Sequence, residues 1–281
     1  MSAIHALQPL YAITGFVVGV LVGMTGVGGG SLMTPLLILL FGMNPAAAVG
    51  TDLLHAAVTR SAGSVVHGLN RTIDWRAARL MAVGSIPMAV VTLAALDALD
   101  INSPATRLLI NAVLTLALLL TAITLILRDR IVARYAARLA RLTPQRVAAL
   151  TVAAGAVVGT IVSISSVGAG ALGVTALVLL YPRLPTARIV GTEIAHAVPL
   201  TIVAGIGHWL LGSVDIQVFL SLIVGSVPGI LLGSYAAVRI PEMALRFVLA
   251  AALIAVATKM SLGLMPSTAD NVVAVKAVAP R

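Results

Sequence analysis

The chain has 281 residues, of which 60% are hydrophobic and 10% charged, with a mean hydropathy of +1.10. That profile lies far above a soluble domain and defines an all-α polytopic membrane protein, with room for roughly eight to ten apolar segments and no separate catalytic domain. Cysteine is absent, which excludes disulfides, thiol catalysis and Cys-ligated metals. The net charge of +9 comes from arginines gathered in short loops, a positive-inside pattern rather than a nucleic-acid-binding one.

The first apolar segment, residues 9–25, has no basic run before it and reads as a span rather than a cleaved signal. It breaks at Gly26-Val27-Gly28-Gly29-Gly30-Ser31 and resumes as far as Phe41. The second piece is about eleven residues, too short to cross alone at about 1.5 Å per residue. A re-entrant hairpin or a pair of half-helices is therefore expected. After a turn at 42–45, a long helix over 46–69 carries Asp52, His55, Arg60 and His67. A basic loop (70–79) leads to spans at 80–96 and 105–127. In the connector 128–146, Arg130, Arg134, Arg138 and Arg141 share helical spacing, as do Ile131, Tyr135, Leu139 and Leu142. Such a basic amphipathic helix suits an anionic membrane surface, or serves as a plain cytoplasmic linker.

The chain then repeats itself. Gly15, Gly19, Val27, Gly28, Gly30 and Pro45 match Gly155, Gly159, Val167, Gly168, Gly170 and Pro185, each 140 residues on (155 − 15). With one inserted residue, Gly50, Thr51, His55, His67, Asp74, Gly84, Ser85 and Pro87 match Gly191, Thr192, His196, His208, Asp215, Gly225, Ser226 and Pro228. Asp52 falls opposite Glu193. Paired His, Asp and Pro in one register mark a duplication within a single membrane domain (1–281). Repeat one spans 9–127 and repeat two 147–262, with a tail at 263–281. Each repeat has a Gly-broken first segment and three further helices. With the connector inside, a hairpin over 155–181 puts Arg183 and Arg188 inside and 212–215 outside, which inverts the two repeats. The tail, with Lys259, Lys276 and Arg281, then lies outside, against the same bias.

The stretch Gly26-Val-Gly-Gly-Gly-Ser-Leu-Met-Thr-Pro35, then Ala48-Val-Gly-Thr51, His67 and Ile73-Asp74-Trp75, resembles the TauE/SafE family of sulfite exporters and related permeases. The second copy repeats it more loosely through Gly168, Gly170, Val190-Gly-Thr192, His208 and Val214-Asp215. The resemblance implies a bacterial-type inner-membrane permease for small organosulfur or other organic anions. Two departures stand out. The family commonly reads Gly-Thr-Ser where this chain has Thr51-Asp52 and Thr192-Glu193, and Thr175 stands where the first copy has Pro35.

The glycine breaks are the first candidate site. A run ending at a helix start offers unpaired N–H groups and the positive end of the dipole, an anion-binding device used by broken helices in inverted-repeat transporters. Gly28, Gly29, Gly30, Ser31, Thr51, Gly168, Gly170 and Thr192 are accordingly the candidate substrate ligands. Close helix packing through small residues is the alternative. Gly23 to Gly28 has phosphate-loop spacing, but Gly29 stands where lysine is required and no strand precedes it. The second constellation is Asp52, His55, Glu193 and His196. A carboxylate in lipid costs several kcal/mol, so these helix faces must look into protein or water. A histidine three residues from an acid can share its proton, giving one proton or substrate site per copy, or else a fixed structural Asp–His bond. Arg60 has no counterpart, Thr201 taking its place. It is expected to snorkel to the inner interface or to line the path, the former being favoured.

These features predict a secondary transporter for a small organic or sulfur-containing anion such as sulfite or a sulfonate, working by alternating access in the cell inner membrane with possible coupling to protons. The competing reading is a proton-coupled or divalent-cation carrier using Asp52 and Glu193. An intramembrane enzyme is disfavoured, because no HExxH or GxSxG motif occurs. No cofactor, metal or nucleic acid is implied. The expected partners are the anion, the lipid bilayer and protons, with a homodimer left open.

Overall fold

The computed structural model describes residues 8–25, 30–101, 103–139, 141–237 and 242–264. Residues 26–29 of the first glycine break, residues 238–241 and the tail from 265 onward lie outside the described residues. Ten helices are described: α1 (Pro9–Thr25), α2 (Gly30–Phe41), α3 (Pro45–Leu69), α4 (Trp75–Ala98), α5 (Pro104–Leu139), α6 (Pro144–Ser165), α7 (Ala169–Leu180), α8 (Thr186–Leu210), α9 (Ile216–Ala237) and α10 (Glu242–Leu264). No strand occurs among the described residues.

The helix starts follow from local chemistry. Asn44 accepts a bond from the Ala46 amide ahead of Pro45, Asp74 accepts from the Arg76 and Ala77 amides, and Thr143 accepts from Arg146 ahead of Pro144. Each satisfies an amide that has no partner inside its helix. Short helices α2 and α7, of 12 residues each, follow their longer neighbours α1 and α6. The turn between α6 and α7 is tight: Ser166 (φ 59°) and Gly168 (φ 106°) both adopt left-handed backbone. One expectation needs revision. The basic stretch after Leu127 is not a separate surface helix, because α5 continues unbroken to Leu139 and α6 begins five residues later.

Glycine contacts give the packing directions. Ideal Cβ atoms built on Gly15 and Gly19 would meet the backbone of Leu222 and Ser226, so α1 and α9 run parallel with their backbones nearly touching. Gly155 and Gly159 bring α6 against Met81 and Ser85 of α4 in the same sense. Helices α3 and α8 run antiparallel, Gly205 meeting Leu54 and Gly63 facing Ile194. Each half therefore completes its packing on the other. Small residues allow this approach where lipid supplies no hydrophobic drive between helices.

Two apolar cores lie within this arrangement. One gathers Val18, Met33, Leu37, Leu118, Leu222 and Leu253, the other Leu53, Met81, Ile110, Val162, Leu177 and Leu200. The outside is also apolar: Leu10, Val65, Val83, Leu116, Val157 and Leu231 are all exposed. Meanwhile Asp52, His55, Arg60, Glu193, His196 and His208 are buried. Apolar outside and charged inside is the distribution that hydrocarbon solvent requires. Five described helices are long and apolar enough to cross a bilayer.

Candidate functional site

The polar residues of α3 and α8 meet their partners across the two halves. Asp52 is fully buried, and its Oδ2 accepts bonds from Thr34 of α2 (2.6 Å) and Ser166 of the α6–α7 turn (3.0 Å). Its Oδ1 lies 3.7 Å from His55 Nδ1, and neither atom has a hydrogen-bond partner. One carboxylate thus joins both short-helix segments to the long helix α3.

The histidines are held reciprocally. His55 Nε2 lies 2.8 Å from Ser226 Oγ of α9, and His196 Nε2 lies 2.9 Å from Ser85 Oγ of α4. Below them, Thr51 Oγ1 accepts from the Asp215 amide (3.0 Å) and Thr192 Oγ1 accepts from the Asp74 amide (2.8 Å). The two expected substrate threonines are therefore joined to the loops that open α9 and α4. His67 pairs with Thr72 (2.8 Å) and His208 with Ser213 (3.0 Å), each closing the turn after its helix. Gly50 and Gly191 admit these turns, since a Cβ on Gly50 would lie 2.8 Å from His208 Cβ and one on Gly191 2.9 Å from His67 Nδ1. His208 Nε2 also reaches the Ser163 carbonyl (2.9 Å) near the C-terminus of α6, where carbonyls lack helical partners.

The acids differ between the copies. Glu193 does not turn to His196; its Oε1 accepts from Arg60 Nη1 at 3.2 Å, across the α3–α8 contact. Arg60 is only 8% exposed, so it does not snorkel. The acid on the other half supplies a nearer counter-charge than water at the interface, and a buried guanidinium is tolerable only with such a partner. The Nε of Arg60 and the Nδ1 of His196 are buried without hydrogen-bond partners. The signal for this pair is in the sequence: an arginine without a counterpart in the other copy and an acid, both inside apolar helices.

Among the glycine-break residues, Gly28 and Gly29 lie outside the described residues, and Gly30 and Ser31 open α2. Gly168 precedes α7, and Gly170 is buried in its first turn. Further along α7, Gly173 lets that helix close on Glu193, its ideal Cβ lying 3.1 Å from Glu193 Cγ. The second break thus reaches Asp52 through Ser166 and Glu193 through Gly173. Among the described residues, no three His, Asp or Glu side chains are gathered as metal ligands.

A helical membrane protein with a buried, charged site between two short-helix breaks belongs to the polytopic transporter class by architecture. The chain is a member of the family described as Sulfite exporter TauE/SafE, whose model matches residues 11–260. It is 38% identical over 251 residues to the probable membrane transporter protein YjnA of Bacillus subtilis (strain 168), covering 88% of this chain and 97% of that one. It is 28% identical over 230 residues to a probable membrane transporter protein of Xylella fastidiosa (strain 9a5c), covering 80% and 83%. No solved structure matches.

Proposed function

We propose that the protein is a secondary transporter, not an enzyme, that moves a small sulfur or organic oxyanion across the cell inner membrane by alternating access. The observation that carries this reading is Asp52, where Thr34 and Ser166 bring both broken segments onto one buried carboxylate. Movement of either segment must break or remake a bond to that acid, which links the backbone breaks to a titratable group. The parallel packing of α1 on α9 and of α6 on α4, with α3 and α8 antiparallel, supports two repeats of opposite orientation rocking about the site. The family description and the names of the relatives support transport, and the family description supports a sulfur oxyanion as cargo.

Counterflow of labelled sulfite and methanesulfonate in proteoliposomes tests the function. Accumulation of either in wild-type vesicles is the expected result; movement of cations alone would overturn the anion reading. Because the chain lacks cysteine, single substitutions Arg183→Cys and Ile216→Cys can be labelled from either side. Arg183→Cys is expected to label from the inside and Ile216→Cys from the outside; a reversed pair, or labelling of both from one side, would refute the inverted topology.

A further inference from the structure

We propose that Arg60 is a direct ligand of the transported anion and that Glu193 is the internal carboxylate it displaces, so that each anion travels with one proton. This deepens the transport reading and rests on it. Arg60 sits in the interior of α3 with Nη1 on Glu193 Oε1, while its Nε is buried and unpartnered. A guanidinium carries five donors in a planar fork suited to two oxygens of one oxyanion. His196, one turn beyond Glu193 on α8, uses Nε2 on Ser85 and leaves Nδ1 buried without a partner. Arg60 and His196 thus each keep one buried nitrogen unmet.

The contrast with the first copy strengthens the assignment. Asp52 accepts two hydroxyl bonds and faces its own histidine. Among the described residues Glu193 has Arg60 as its one charged partner, and Thr201 stands where a second arginine would serve Asp52. Around Glu193, α3 contributes Arg60, α8 its own His196, α4 the neutral Ser85 on that histidine, and α7 the bare backbone at Gly173. The Asp74–Arg188 pair, at 3.9 Å, lies at the N-terminal end of α8. Arg60 is therefore the charged group that faces Glu193.

The exchange balances. A proton from the aqueous phase binds Glu193, and the bond from Arg60 Nη1 is given up. Nη1 and Nε then donate to two oxygens of the anion, whose charge replaces that of the carboxylate. On release the anion leaves, Glu193 loses its proton to the opposite phase, and the pair re-forms. One proton and one monoanion cross together, so methanesulfonate transport carries no net charge.

The test uses full-length wild type, Glu193→Gln and the double variant Arg60→Gln/Glu193→Gln in proteoliposomes, with labelled methanesulfonate and sulfite as probes. Wild-type uptake of methanesulfonate should rise with external acidity and ignore an imposed membrane potential. The double variant, which removes both buried charges together, should keep its unfolding midpoint yet lose uptake by at least roughly 30-fold, the loss expected when a buried charged contact to a ligand is removed. Glu193→Gln should still bind methanesulfonate, seen as anion-dependent thermal stabilisation absent from the double variant, and its counterflow should become independent of pH. Unchanged uptake and pH dependence in the double variant, or pH-dependent counterflow in Glu193→Gln, would overturn the assignment and leave the transport reading standing. Wild-type vesicles that move neither probe would instead sink the transport reading itself.

Discussion

Replacing Gly19 by alanine puts one methyl group into the backbone contact between α1 and α9. Its Cβ would lie 2.6 Å from the Ser226 carbonyl oxygen and 2.9 Å from Ser226 Cα. Carbon atoms settle at about 3.5–4.0 Å, so the helices must part by roughly 0.6–1.1 Å. Ser226 is also the partner of His55, at 2.8 Å. A retreat of that size along the line between them stretches the bond to about 3.4–3.9 Å, at or beyond hydrogen-bonding range. Overpacking costs about 1–3 kcal/mol, and leaving a buried imidazole nitrogen unpaired adds about 1–3 kcal/mol. Gly63→Ala is the matched control, since the nearest atom to its Cβ, Ile194 Cγ2, is at an ordinary 3.5 Å. Unfolding in mixed detergent–SDS micelles, followed through Trp75 and Trp209, should show a large loss for Gly19→Ala and little change for Gly63→Ala. Equal behaviour of the two would refute the claim that backbone contact holds these helices together.

Other outcomes follow from the same geometry. Ser85→Ala and Ser226→Ala each strand a histidine nitrogen, so each should lower stability by about 1–3 kcal/mol in the same unfolding assay, and by similar amounts. Asp74→Ala removes a side chain that accepts from two amides at the start of α4; a loss of about 1 kcal/mol is expected, with anion affinity in a thermal-shift titration unchanged. Gly168→Ala forces a side chain into left-handed backbone, at a cost of about 1–3 kcal/mol, and should slow counterflow because the α6–α7 turn carries Ser166 to Asp52. Asp52→Asn keeps shape but loses charge, and should weaken the hold of Thr34 and Ser166, read as faster proteolysis at the break.

Much of the helical frame was legible because its boundaries rest on short-range chemistry. Asn44-Pro45, Asp74 and Thr143-Pro144 mark helix starts through caps that the backbone requires locally. His55 and His196 share one register in the repeat, and each meets a serine from the opposite half. Arg60 was not readable from its own neighbourhood. Its position suggested an escape to water, whereas its partner lies 133 residues away on a helix that meets α3 only after folding. The role of the threonines was hidden for the same reason, as Thr51 and Thr192 bond amides from the opposite half. The extension of α5 past Leu127 was masked by composition: a basic stretch reads as a separate amphipathic helix or a linker, although arginine is a good helix former and nothing there interrupts the backbone.

The pairing of α1 with α9 also has a consequence in time. The surfaces that touch, such as Gly15 and Leu222, are separated by 207 residues (222 − 15). At roughly 5–20 residues per second, the first helix waits about 10–40 s for its partner to be synthesised. Through that interval its glycine face has only lipid or the insertion machinery against it. The α1–α9 contact thus waits on the last third of the chain: a helix made well before its partner finds its place only late.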